Sequence, residues 1–300
     1  MTLWIPITLA AAFFQTLRFM LQRQLSLGTL SAAGATLARF LYSAPLVAVG
    51  ITIYLWITAQ NLPEIPARFW VYGAMGGLAQ ILATVAVVML FKDRNFAVGI
   101  TFKKTEVMQA VLVGWLVLGD TVSWLGFAAI GLGLVGVLLL SAPPELRTFG
   151  WRDMMNRSAG LGLASGLLFA VSGVSYRGAS LSLALDDPFA RAGLTLAAVT
   201  AMQTVAMMLW LRWREPGQVR AVWDARRVAV WVGLMSMAGS FCWFTAFTLQ
   251  NAAYVNAVGQ VELIFSALAS VVIFREAVSR REWIGMGVLM ASILTLVLVI

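Results

Sequence analysis

The 300-residue chain contains no histidine and a single cysteine, Cys242. The first absence excludes imidazole catalysis and His-ligated metal centres, and the second excludes a disulfide framework or a cysteine metal cluster. Charge is scarce as well: charged residues make up 11% of the sequence and apolar ones 61%, with a mean hydropathy of +0.87. A soluble domain carries about 25% charge and about 45–50% apolar residues. A composition this apolar belongs to a polytopic membrane protein. The net charge of +8 does not indicate a nucleic-acid binder, because the basic residues fall in short loops between apolar runs, where they orient a chain in a bilayer. The stretch from Met1 to Phe14 has no basic n-region and its apolar run continues past Phe19, so it reads as a retained helix rather than a cleaved signal.

What fills the chain is a series of apolar segments of spanning length. Ten can be counted, at about Leu3 to Gln22, Ala32 to Ile57, Arg68 to Leu90, Phe96 to Leu118, Val122 to Ser141, Ser158 to Gly178, Pro188 to Leu211, Val228 to Gln250, Ala253 to Phe274 and Trp283 to Ile300. No loop is long enough for a soluble domain, and there is no Walker A sequence. ATP hydrolysis by this polypeptide is therefore not expected.

One stretch occurs twice. Displacing Asn95–Leu140 by 156 residues brings Asn95 onto Asn251, Glu106 onto Glu262, Asp120 onto Glu276, Ser123 onto Ser279 and Gly131 onto Gly287 without a gap. A displacement of 154 pairs Ala10 with Ala164, Arg23 with Arg177 and Ser26 with Ser180; one of 152 pairs Ala38 and Arg39 with Ala190 and Arg191. Two halves, 1–141 and 158–300, joined by a polar linker at 142–157, account for the chain. Five spans is an odd number, so the second half must lie upside down relative to the first. The expected fold is an all-α membrane protein of ten transmembrane helices, arranged as two inverted five-helix repeats around a central cavity, as in secondary carriers.

Orientation follows from Lys and Arg. The loops after odd-numbered spans hold 14 of the 21, the opposite loops hold Arg68 and Arg177, and five (Arg18, Arg39, Lys103, Lys104 and Arg191) lie within spans. By the positive-inside rule the richer side is cytoplasmic and both termini lie outside. The expected location is a bacterial-type plasma (inner) membrane.

The intramembrane charges are the candidates for chemistry. If Asn95 and Asn251 cap their helices, Glu106 and Glu262 sit about 16 Å along them, near the middle of a hydrocarbon core about 30 Å thick. A carboxylate there is costly and by default marks a pathway. Glu262 has no basic residue within five positions and reads as a proton-titrating or cation-binding group, or else as a structural acid joining helices. Glu106 has Lys103 one turn before it on the same face. Lys103 and Lys104 are either cations that receive a substrate carboxylate or side chains that snorkel to headgroups. Arg39 and Arg191, symmetry mates early in the second span of each half, either anchor helix ends or pair with Glu or carbonyl oxygens of the fourth and ninth helices. Arg18 is expected to snorkel. Phe14 and Gln15 in the first span, Gln80 in the third, Trp243 in the eighth and Asn256 in the ninth could line a cavity, although such residues more often pack helices or face lipid. Gln260, two residues from Glu262 on a regular helix, falls off its face. No metal ligand set and no cofactor site is expected.

One motif match is refused. Gly131–Gly136 fits the dinucleotide pattern but lies inside an apolar span, where small residues let helices approach. Gly73 and Gly77 form a pair of the same kind.

The chain resembles the drug/metabolite transporter superfamily, in particular its EamA-type ten-span members. Arg39-Phe40 matches that family's Arg-Phe pair, of which Arg191-Ala192 keeps the Arg. Thr105-Glu106-Val107 and Val261-Glu262-Leu263 keep the Glu of its Leu-Glu-Pro motif, and Gly119-Asp120 and Arg275-Glu276 keep its closing acid. The motif's prolines are absent, so the kinked or unwound helices of some relatives are not implied here. The resemblance implies two five-helix halves around a cavity and transport of small metabolites, amino acids or drugs, often outward.

The expected function is a secondary transporter of small metabolites such as amino acids, exporting by alternating access with protons as the coupling ion. A polyspecific drug or cation efflux carrier is the alternative, with a membrane-embedded enzyme less favoured; an enzymatic role is not expected. The partners are a small-molecule substrate and the lipid bilayer, with a homodimer as an option and no nucleic acid.

Overall fold

Short polar residues start the helices and small ones let them meet. The computed structural model describes residues 3–28, 30–90, 96–141, 157–265 and 279–299. Asn95, the linker at 142–156 and the pair Arg275-Glu276 lie outside the described residues. All regular structure among the described residues is helical: α1 (Trp4–Leu27), α2 (Ala32–Ile57), α3 (Ala67–Leu90), α4 (Phe96–Lys103), α5 (Glu106–Leu118), α6 (Trp124–Ser141), α7 (Arg157–Leu181), α8 (Pro188–Arg214), α9 (Gln218–Asp224), α10 (Arg226–Leu249), α11 (Ala252–Gly259) and α12 (Arg280–Val299). Seven of these are long and apolar enough to cross a membrane, namely α1, α2, α3, α7, α8, α10 and α12, and Trp124–Leu140 and Ala252–Phe265 are shorter apolar helices.

The caps are local chemistry. Ser31 accepts from the Gly34 amide at 2.9 Å, Asn251 from Ala253 at 2.9 Å and Asp187 from Phe189 at 2.8 Å, the last ahead of a proline at the first helical position. Each satisfies an amide that the helix itself leaves unpaired. The repeated serines also cap helices. Ser123 accepts from Gly126 at 3.0 Å, while Ser279 and Glu282 exchange bonds of 3.3 and 2.7 Å as a capping box. Gly119, at φ +70°, ends α5 in the left-handed region, which glycine adopts without steric cost.

The most extensive packing joins helices of residues 3–141 to helices of residues 157–299. α1 lies on α10, α3 on α7, α2 on α8 and α6 on α12. Backbones come close where glycines allow it: a Cβ at Gly136 would sit 2.7 Å from the Leu289 amide nitrogen, and one at Gly285 3.0 Å from the Gly136 carbonyl oxygen. This is the small-residue packing expected for Gly131–Gly136. Gly73 and Gly77 face α8, where a Cβ would meet the Met202, Val199 and Gln203 side chains at 3.3–3.7 Å rather than backbone. The outer surface is apolar, with exposed tryptophans near helix ends at Trp56, Trp124, Trp213 and Trp283, as in the aromatic belts of membrane proteins.

At one end of the bundle, Asp187 accepts from the Tyr54 hydroxyl at 2.7 Å and from Gln60 at 2.9 Å, tying α8 to α2. Burial pushes the Asp187 carboxyl up, but these two bonds and the amides of Phe189 and Ala190 outweigh it and hold the group below its ordinary value of 3.8. The stabilisation is therefore complete above that value and lost as the pH falls through the lowered folded-state value. Asp187→Ala is expected to cost about 1 kcal/mol as a lost cap, seen as a lower melting temperature of the detergent-solubilised protein at neutral pH, with a gap to wild type that closes in strong acid.

Candidate functional site

The two segments carrying the repeated glutamates are interrupted at the same repeat position. α4 ends at Lys103 and α5 begins at Glu106; α11 ends at Gly259 and the helix resumes at 262. No proline is involved. At the first interruption the Lys104 amide is shared between the Ile100 and Thr101 carbonyls at 3.2 Å each, and Thr105 bonds Phe102 at 3.1 Å. The Thr105 hydroxyl also donates to the Phe102 carbonyl at 2.7 Å. At the second, Gln260 and Val261 bond Ala257 and Val258 at 3.2 and 3.1 Å. Both are turns tightened to i−3 bonding, a feature that within a helix often marks a functional hinge. Gly166 on α7 leaves room for the first: a Cβ there would lie 2.8 Å from the Lys103 carbonyl oxygen. Each Glu thus opens a new helical segment, where the amide ends favour negative charge.

Both carboxylates are paired. Lys103 lies 3.0 Å from Glu106 within the first segment. Lys104 pairs with Glu262, and Gln15 on α1 donates to the other oxygen of Glu262 at 2.7 Å. The second pair bridges the two parts of the chain. Around these groups lies a cavity of about 50 Å³ whose lining includes Gln15, Arg39, Gln80, Lys103, Glu106, Trp243, Asn256 and Glu262, room for a few water molecules. Its apolar walls are aromatic: Tyr176 stacks on Phe244 with centroids 4.1 Å apart, and Trp243 on Phe247 at 5.6 Å. Three buried polar atoms on this lining, Trp243 Nε1, Asn256 Nδ2 and Gln260 Oε1, have no hydrogen-bond partner among the described residues. Such atoms cost about 1–3 kcal/mol each when unmet, so each calls for a partner, water or a bound molecule, from the cavity. A second space, of about 270 Å³ between α2, α8 and α10, is almost wholly apolar and has little with which to orient a polar cargo.

Residues 157–298 match the EamA-like transporter family. The match covers the second half of the chain. A solved crystal structure is similar to this chain over 99% of its length and 97% of the other's, with a TM-score of 0.72 at 15% identity, which shows a shared fold. No curated protein matches the sequence.

Within the cavity, Arg39 differs from its expected pairing. Its guanidinium bonds hydroxyls rather than carboxylates or helix carbonyls: Nε to Ser236 at 3.0 Å, Nη1 to Thr84 at 3.2 Å and Nη2 to Ser240 at 3.2 Å. Arg18 does not snorkel; it is buried and donates to Gln22 at 2.8 Å. Lys104 is behind the lining, reaching the cavity through Glu262. Phe14 and Arg191 stand apart from it. Phe14 packs against Gly239 and Phe13. Arg191, half-buried in the first turn of α8, is the counterpart of Arg39 in sequence but not in surroundings.

Several lining residues escape sequence reasoning. Gln260 faces the cavity because the tightened turn changes the helical phase that would have turned it away. Tyr176 lies next to a charge, in a run whose polarity gave a weak signal. Its hydroxyl is 3.0 Å from both the Gly76 carbonyl and Gln80 Oε1 and accepts from Gln203 at 3.3 Å.

A closure lies at the end of the bundle where α5, α7 and α10 finish. Arg177 donates to Asp120 at 3.0 Å and to the carbonyls of Phe247 and Gln250 at 2.8 and 2.9 Å. Asn251 reaches the Thr121 carbonyl at 3.4 Å, and the Ser180 and Thr248 hydroxyls are 2.5 Å apart. Because Lys104 and Glu262 are both buried, removing either leaves the other uncompensated. Lys104→Met and Glu262→Gln are each expected to destabilise by about 3–5 kcal/mol, and the double variant by less than the sum. Thermal unfolding of the four proteins in one detergent measures this coupling.

Proposed function

We propose that the protein is a secondary transporter of small metabolites such as amino acids, exporting them by alternating access of two inverted five-helix halves, 1–141 and 158–300. The observation that carries this reading is the cavity at two matching helix interruptions, with one glutamate from each half on its lining. Interrupted helices that meet at mid-membrane are where carriers place cargo and coupling ions. The packing supports the inverted repeat. A rotation exchanging the halves turns the α3–α7 contact into the α10–α1 contact and maps α2–α8 and α6–α12 onto themselves, and these are the most extensive contacts.

The mechanism follows from the bonds. With the Arg177–Asp120 cluster closed, one end is sealed, and the charge bias of the loops puts that end outside. Opening there requires Arg177 to leave Asp120 and two helix carbonyls together. Lys104–Glu262 holds the halves at the cavity, and a proton delivered to Glu262 would remove the charge that retains Lys104. Coupling then consists of exchanging an ion pair between the halves for a protonated acid plus cargo, so that neither side chain is left charged and alone in a dry site. Cationic drugs fit this cavity less well, because each carboxylate on it already holds a lysine.

In proteoliposomes screened for uptake and efflux of amino acids, Glu262→Gln should abolish stimulation by a pH gradient while cargo exchange across the membrane persists. Gradient-driven transport equal to wild type would remove Glu262 from the coupling role. Competition by cationic dyes would favour the drug-efflux alternative.

A further inference from the structure

The end of the bundle opposite the Arg177 closure carries a surface that the proposed transport does not use. α7 finishes and α8 starts at the closed end, so the last turn of α8, the short helix α9 and the first turn of α10 lie at the other. Between 212 and 227 the sequence sets five arginines, Arg212, Arg214, Arg220, Arg226 and Arg227, against two acids, Glu215 and Asp224, a net charge of +3. All five arginines are exposed. Interleaved with them are Trp213 and Trp223, 72% and 60% exposed. A run of charge is ordinarily a solvated face, and a solvated face has no use for large exposed indoles.

Two features separate this surface from an ordinary basic loop. First, α9 is a fixed platform. Val222 is fully buried, and Val219, Ala221 and Ala225 pack with it into the apolar cluster shared with α2, α8 and α10, while Arg220 and Trp223, three residues apart, share the outward face. Gln218 accepts from the Ser31 amide at 3.0 Å and the Tyr42 hydroxyl donates to the Val222 carbonyl at 3.3 Å, so α9 is fastened to α2 at two points. Second, the arginines sit where spanning helices end: Arg214 is the last residue of α8 and Arg226 the first of α10. Tryptophans at such ends lie at headgroup level. The Arg214 guanidinium is 4.3 Å from the Trp213 ring centroid, a cation–π contact that lays the charge along the indole.

We propose that α9 and the helix ends beside it form a docking surface for anionic phospholipids of the cytoplasmic leaflet, with the arginines receiving lipid phosphates and Trp213 and Trp223 seated among the headgroups. The charge bias of the loops puts this end in the cytoplasm, where the leaflet is negatively charged and basic clusters beside spanning helices collect its lipids. A guanidinium offers paired N–H donors to phosphate oxygens. The occupant is a membrane lipid rather than an acidic protein, because the surface is continuous with the ends of α8 and α10 and carries indoles at that level. No step of the transport cycle involves it, so its failure would leave the transporter reading intact.

The test uses the full chain reconstituted in phosphatidylcholine bilayers. Electron spin resonance reads how much spin-labelled phosphatidylglycerol is held at the protein surface, relative to spin-labelled phosphatidylcholine with the same acyl chains. The wild-type protein is expected to favour phosphatidylglycerol severalfold. Arg220→Gln combined with Arg227→Gln should remove most of that preference, each arginine contributing up to about fivefold. Arg280→Gln combined with Arg281→Gln, an equal loss of exposed charge at the start of α12, should leave most of it. Raising sodium chloride to about 1 M, where a charge reaches only about 3 Å, should weaken the preference of the wild-type protein. If the Arg220 and Arg227 double variant does not reconstitute, Arg227→Gln alone should show part of the loss. Equal association of the two lipids with the wild-type protein would overturn the proposal. So would equal losses in the two double variants, which would assign the preference to the basic side as a whole, or displacement of the lipid by inorganic phosphate beyond that by chloride at the same ionic strength, which would mark a site for the free ion.

Discussion

A lysine and a glutamate buried in a lipid-embedded bundle must find each other, and here they do so across the two parts of the chain. Lys104 and Glu262 are 158 residues apart, yet each is the other's counter-charge, with Gln15 from α1 bonding the second carboxylate oxygen. The low-dielectric surroundings make that pair an all-or-none constraint: intact, it ties α4 and α5 to the segment after α11; broken, it leaves a charge that the interior cannot accommodate. Much of the architecture around it serves to put those two groups within reach. The interruptions free the helical phase, Gly166 lets α7 approach the first of them, and Gly259 lets Trp243 lie against the second.

The interlocking of the halves has a related physical basis. Helices in lipid gain nothing from burying apolar side chains, so they associate through close backbone approach and hydrogen bonds. Gly136 against Gly285, Ser292 bonding the Ala129 carbonyl at 2.6 Å, and Gln203 bonding the Gly77 carbonyl at 2.9 Å are contacts of this kind. Each joins a helix of residues 3–141 to one of residues 157–299. Cavity and scaffold are therefore made by the same pairings, and a movement that opens the cavity must be a movement of these contacts.

Membrane class and the helical segments were legible in the sequence, because apolar runs need no tertiary context to be seen. Eight of the side chains singled out there meet on one cavity for the same reason: isolated polar groups in apolar helices are few, and they gather where they can be satisfied. The interruptions were not legible. They arise without proline, from i−3 bonding and the Thr105 hydroxyl, and a regular helix was the natural expectation; that error hid Gln260. The partner of Glu262 was also invisible, since the absence of nearby basic residues in sequence says nothing about a lysine from the other half. Arg39 and Arg191 look equivalent in sequence, but only Arg39 is enclosed by hydroxyls on the cavity, so the symmetry of the repeat overstates the symmetry of the site.

The claim on which this picture rests is that Glu262 is an ionised carboxylate held by Lys104 inside the bundle. Infrared spectroscopy of the glutamate-labelled protein, as a difference between wild type and Glu262→Gln, reads that state directly. An ionised Glu262 requires the substitution to remove a carboxylate band; the loss of a protonated carboxylic-acid band in its place would contradict it.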